Sequence, residues 1–300
     1  MGFLGWTVTN RPEIFGWYHI VCVVVLILLS VAIVMFLRKT TEKQNRIILA
    51  VAGGTMLVFE TLKLLVMSEG RGWQFEWAHF PFVPCSIFMF LIFASAFMKG
   101  NLRQWVYVYL AFYGLFAGLS AFIVPTSVYN TGYWLVLFQT MLHHGLQVLV
   151  GVYLISSKRV SLSYKDWKNQ LGAVGVFGFF IAVAIVLALV GGEYRADMGF
   201  NPMFISPFKE NNLPLVELIA NQVPYAVWVV LYIILFSVFA YVIFWLANGI
   251  NKLVLLICTK VCKGRYCLCC CKKETKEEIE VQETKEVVEK NERKSKKERA

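Results

Sequence analysis

The chain reads as an all-α polytopic membrane protein, a bundle of seven transmembrane helices with the N-terminus outside and the C-terminus in the cytoplasm. Three observations predict this. Hydrophobic residues make up 58% of the 300 residues, and the mean hydropathy is +0.61, which excludes a soluble domain of this length. The hydrophobic residues fall into runs of around twenty, each long enough to span a membrane as a helix that satisfies its own backbone hydrogen bonds. Basic residues collect on alternate connections, so one orientation is favoured.

Taken in order, the runs fall near 16–37, 47–67, 82–98, 102–124, 133–155, 171–191 and 225–250. The first is too long for a signal-peptide core and has no small-residue cleavage site, so it is kept as a span. The second carries Glu60 and Lys63, three residues apart and able to meet on one helix face. The third is the shortest, and Pro81 and Pro84 stand at its entry. The fourth is separated from it by a short basic connection. The fifth contains the adjacent pair His143 and His144, which point about 100° apart on a helix and cannot both face one site. The sixth leads into a long segment, 192–224, rich in Asn and Pro, whose length marks it as a functional loop placed to cap the outer mouth. The seventh has no mid-span lysine, which disfavours a retinal-binding protein.

With loops 38–46, 99–103 and 156–170 and the C-terminus on one side, fourteen basic residues lie there before the tail, against Arg11, Arg71, Arg195 and Lys209 opposite. That bias assigns the first side to the cytoplasm, and an odd number of spans fits it. The net charge of +10 is therefore topogenic and would meet anionic lipid headgroups; no nucleic-acid partner is needed. The cell membrane is the expected location.

The chain divides into a transmembrane domain over 1–257, a Cys-rich juxtamembrane segment over 258–271 and a charged tail over 272–300. Cys258, Cys262, Cys267, Cys269, Cys270 and Cys271 crowd the second of these. On the reducing side of a membrane, they suit S-acylation or metal binding better than disulfides, and their spacing fits no standard zinc pattern. The tail carries ten basic and nine acidic residues and four isolated β-branched apolar ones, the composition of a disordered or transiently helical segment.

Glu60, Cys85 and His144 stand at one depth. Each lies fourteen residues from the cationic margin of its own span: Arg46 to Glu60, Cys85 to Lys99, His144 to Lys158. At 1.5 Å per residue that is roughly 21 Å above one face, in the outer half of a hydrocarbon core about 30 Å thick. An acid, a thiol and an imidazole at one level form a candidate reaction centre. A buried charge pair marks a functional interior by default. A thiol needs a base or a positive field to act as a nucleophile, and His144 and Lys63 are placed to supply them.

The segment His79-Phe-Pro-Phe-Val-Pro-Cys85 resembles the histidine–leucine–proline–leucine–histidine–leucine–cysteine signature of the YwaF-type integral membrane family. His144-Gly145 looks like that family's serine–histidine–glycine element, and Asn201-Pro-Met-Phe204 like its asparagine–tyrosine–methionine–phenylalanine element. Order and spacing agree over roughly residues 15–250, with Val83 in place of the second motif histidine and Pro202 in place of the tyrosine. The family is similar to animal membrane acyltransferases that remodel ether phospholipids. The resemblance implies that Cys85 accepts the acyl group, with His144 as its partner and Glu60 orienting His144 or balancing Lys63. His79, Lys63 and Asn201 are expected to contact substrate. Phospholipid and lysophospholipid are the expected partners, and the scheme needs no metal or soluble cofactor. Two other classes remain open: a transporter or receptor whose polar centre binds a ligand, for which the thiol is dispensable, and an inactive scaffold that has lost one motif histidine.

Overall fold

The computed structural model describes residues 7–261 apart from 9, 126–128, 130 and 211–216. Among the described residues it contains eight α-helices: α1 (Trp17–Phe36), α2 (Glu42–Glu69), α3 (Pro84–Ser95), α4 (Gly100–Ile123), α5 (Trp134–Ser156), α6 (Trp167–Asp197), α7 (Glu217–Ala220) and α8 (Tyr225–Val261). Single 3₁₀ turns occur at Trp77–His79, Tyr164–Asp166 and Pro202–Phe204. No strand occurs among the described residues. The Cys-rich segment from residue 262 and the charged tail lie outside the described residues, as do Asn211 and Asn212 of the long loop.

Six of the helices are long and apolar enough to cross a membrane. The third apolar run departs from the seven-span expectation. It yields only twelve helical residues, about 18 Å at 1.5 Å each, short of a core about 30 Å thick. The physical reason is local. Pro84 occupies the first helical position, where its missing N–H costs nothing and its fixed φ suits the turn. The backbone before it is extended at Val83, and the helix ends at Ser95. Non-helical backbone at membrane depth is tolerated only where protein encloses it. The helix itself is enclosed, with Ser86 to Met89, Leu91, Ile92 and Ser95 all buried, and the non-helical residues 80–83 before it are half-buried.

α4 is the central helix, packed against α3, α5 and α6, while α2 lies against α3 and α5 and α1 against α5. Nearly every residue of α4 from Val106 to Gly118 is buried, whereas α1 buries only His19 and Leu26. The outer faces of α1, α6 and α8 expose Leu28, Phe179, Val190, Val230 and Ile234, as lipid-facing surfaces do. Close helix approach depends on two glycines. A Cβ on Gly53 of α2 would stand 2.4 Å from the backbone N of Phe93 in α3, and one on Gly118 of α4 would stand 2.8 Å from the carbonyl of His144 in α5.

α2 starts at a full capping box, in which Thr41 accepts from the backbone N–H of Gln44 and Gln44 accepts in return from that of Thr41. α6 is broken near its C-terminal end at Gly192, which has φ of 63°. The chain beyond it turns back so that the 3₁₀ turn at Pro202–Phe204 enters the bundle. Met203 is fully buried, its N–H donates to the Phe82 carbonyl at 2.7 Å, and Tyr232 of α8 donates to the Met203 carbonyl at 2.9 Å. The chain forms two compact units, 1–246 and 247–300. The first holds everything described below.

Candidate functional site

Cys85 occupies the second position of α3, one residue after the proline that starts it; its thiol is free and the residue is half-buried. The first turn of a helix has N–H groups without helical partners and the positive end of the dipole. Its backbone carbonyl receives two side-chain donors from α5: His143 Nε2 at 3.0 Å and Gln147 Nε2 at 2.8 Å. A carbonyl only accepts, so His143 Nε2 must carry the proton and Nδ1 is the lone pair. That Nδ1 is buried without a partner, as is Gln147 Oε1.

His144 points elsewhere, as adjacency on a helix requires. Its Nδ1 meets the carbonyl of Thr140 at 2.8 Å, so Nδ1 is the donor and Nε2 is the unspent lone pair. The two rings lie 5.6 Å apart at their centroids. Glu60 pairs with Lys63 at 2.5 Å and accepts from Gln139 Nε2 at 2.8 Å. Glu60 is buried and Lys63 is mostly so. This pair acts electrostatically on both Cys85 and His144. Of the two alternatives expected for Glu60, the contact to Lys63 is formed, whereas the orienting contact of His144 is Thr140.

Further charged residues stand at and before the 3₁₀ turn that precedes α3. Glu76 is bound by Arg71 at 2.6 Å and approached by His79 Nε2 at 3.4 Å. Burial pushes the His79 imidazole below its ordinary pKa, against the pull of Glu76, and Lys63 adds to the lowering. Lys63 and Glu60 are thus near enough to His79, Cys85 and His144 to act on all three electrostatically. Asn201 does not join them through its side chain. Its Oδ1 accepts from the Ser206 N–H at 2.9 Å, holding the turn that inserts Met203. Met203 and Phe204 have φ of 53° and 56°, a left-handed conformation that is costly for residues with a side chain and is typically found where a site is over-determined.

Sequence reasoning passed over Gln139, Gln147 and Glu76, and it set His143 aside. A signal for three of these existed. Gln139, His143 and Gln147 recur at intervals of four, one polar stripe along an otherwise apolar helix. Among the described residues, no group of three or more His, Cys, Asp or Glu comes together as a metal-binding set.

The TMEM164 family model matches residues 14–249. The chain belongs to the TMEM164 family. This is a transmembrane family, and the match takes in every residue of the site, from Glu60 to Asn201. The multi-pass helical structure agrees with it. No curated protein and no solved structure matches the chain, so the chemistry of this TMEM164-family member is argued from the site itself.

Proposed function

We propose that this chain is a phospholipid acyltransferase that carries the acyl group on Cys85. The observation that carries the reading is the first turn of α3: a free thiol at a helix N-terminus, with its peptide clamped by His143 and Gln147 and an oriented imidazole on the next residue of α5. A nucleophile, a base and a third group that orients the base are the parts that covalent catalysis needs.

In the first half-reaction, His144 Nε2 takes the thiol proton and the sulfur attacks the ester carbonyl carbon of a phospholipid. The C–O bond breaks, the leaving lysophospholipid oxygen recovers the proton from His144, and a thioester remains. In the second half, the hydroxyl of another lysophospholipid gives its proton to His144 and attacks the thioester. The thiol is then released and reprotonated. The positive end of the α3 dipole and the Lys63 ammonium are the groups that would stabilise negative charge as it develops. Glu60 balances Lys63, His143 positions the Cys85 peptide, and His79 stands at the rim where a headgroup would enter. The basic-residue bias supports a site open to the outer leaflet, with the extended backbone before Pro84 completing the crossing begun by α3, the C-terminus cytoplasmic, and the cell membrane as the location.

The test is intact mass spectrometry of the purified protein after incubation with phospholipid, before and after neutral hydroxylamine, with the six cysteines from Cys258 to Cys271 replaced. A hydroxylamine-labile fatty-acyl mass is expected on the parent and absent from Cys85→Ser. His144→Gln should slow its formation roughly 10²–10⁴-fold, and His143→Gln should slow it less. Folded parent protein that takes no acyl group from any phospholipid would favour a ligand-binding or transport role for the same polar centre.

A further inference from the structure

A second charged cluster lies at the other end of α2 and takes no part in the chemistry above. Glu42 is the first residue of that helix, and Glu60 is eighteen residues further on, about 27 Å along the axis. Three guanidinium groups converge on the Glu42 carboxylate: Arg46 one turn along at 3.2 Å, Arg103 from the start of α4, and Arg159 from the connection after α5 at 2.6 Å. Arg159 also donates to the Thr40 carbonyl at 2.8 Å. Beneath them a hydrogen-bonded chain runs from Thr40 through Tyr153 to Asn45 and Tyr107, and Arg103 stands over the Tyr107 ring. The floor of the cluster is therefore fixed.

The charges do not balance. One carboxylate faces three cations, leaving a surplus of two positive charges. A surplus of cations is the general character of this face; what sets the cluster apart is that three guanidinium groups converge on one fixed floor, where a second anion would meet several of them at once. Each guanidinium spends one or two N–H donors on the protein, and its remaining donors are uncommitted. The side chains keep 20 to 42% of their surface, so the cluster opens outward. It lies at the end of a membrane-length helix, the depth at which lipid phosphates are found. Guanidinium forks match phosphate oxygens in a bidentate manner.

We propose that Arg46, Arg103 and Arg159, arrayed around Glu42, bind the phosphate of an anionic phospholipid, a phosphomonoester headgroup being the best match to the charge surplus. The site sits on the basic face, where anionic lipid accumulates if that face is cytoplasmic. It is independent of acyl transfer and is tested with that chemistry disabled.

The experiment is native mass spectrometry of the full chain carrying Cys85→Ser, in detergent micelles holding equal amounts of phosphatidic acid and phosphatidylcholine. Retained phosphatidic acid is expected to exceed phosphatidylcholine, and the preference should fall about tenfold in Arg103→Gln, the loss expected for one charge-assisted contact. Arg46→Gln, which removes only a contact within α2, keeps the test available if Arg103→Gln does not fold. Glu42→Gln separates a site from a clasp. It should raise phosphatidic acid retention by removing the competing carboxylate, whereas a clasp alone predicts no gain. Excess inorganic phosphate should leave the lipid adduct in place; displacement would give the site to soluble phosphate and overturn a lipid ligand. Equal retention of the two lipids, or a preference undiminished in the arginine variants, would overturn the proposal outright.

Discussion

The Glu60–Lys63 pair shows how one residue's cost is met by its neighbours. Both side chains sit within a span, 2.5 Å apart, with Gln139 on the second carboxylate oxygen. Removing one partner leaves an uncompensated buried charge, so Glu60→Gln should destabilise the protein by about 3 kcal/mol, and Glu60→Gln with Lys63→Met should regain most of that. Thermal unfolding of the two variants in detergent checks this. His79 supplies a pH dependence. Its folded pKa lies below the ordinary imidazole value because burial outweighs Glu76, so the fold favours the neutral ring. The stability this contributes is complete above the unfolded value, about 6.5, and is lost as the pH falls from there through the folded one. His79→Gln should flatten the decline in Tm between pH 7 and 5; a parent that grows more stable on acidification relative to the variant would contradict it. At this scale the sequence was informative where chemistry is rare in membranes. Glu60, Lys63, Cys85 and His144 stand out by type and depth. Which ring of the His143–His144 pair touches Cys85 was not legible, because depth fixes height along a helix axis and leaves rotation about it to packing.

Elements followed the hydropathy pattern wherever a span was long. α1, α4 and α5 begin and end within two residues of their apolar runs, whereas α2, α6 and α8 extend beyond theirs into polar connections. α3 is the exception, and the reason is again partner-dependent. Its run is apolar throughout, while the start at Pro84 and the end at Ser95 leave only twelve residues helical. The close α2–α3 contact at Gly53 leads to a prediction at this scale. A side chain there meets the Phe93 backbone rather than a movable side-chain tip, so Gly53→Leu should cost about 1–3 kcal/mol by overpacking. It should also lower any Cys85 acylation by shifting α3. Gly54→Leu, next to it and with only a Phe93 ring edge at 3.9 Å, is the control, read by Tm and by acyl adduct mass. The length of the loop stood out in the sequence, but the insertion of Met203 beside Phe82 was not legible, since it depends on a left-handed turn at two residues that carry side chains.

For the whole molecule, the basic residues make the strongest testable statement. Fourteen cations against four predict Lys158 inside and Lys209 outside. Single cysteines introduced at these positions, with the native ones replaced, should react differently with an impermeant maleimide on intact cells. Lys209→Cys should label at once and Lys158→Cys only after permeabilisation. The opposite pattern would invert the bundle and face the proposed site toward the cytoplasmic leaflet. The all-helical, multi-pass character was open to reading from the chain alone, because it rests on composition, whereas the count of spans was not, since six helices and not seven are long enough to cross. What encloses the polar centre was not legible either, because it arises from contacts between α3, α5 and the returning loop.

The shortness of α3 also bears on how the protein is made. As the chain leaves the ribosome, residues 84–95 offer a translocation channel only about 18 Å of helix, too little to be released into lipid by itself. Only four residues separate it from α4, and its buried face is covered by α2, α4 and α5. α3 must therefore wait and enter as a hairpin with α4, so the segment that bears Cys85 settles only after later parts of the chain have been synthesised.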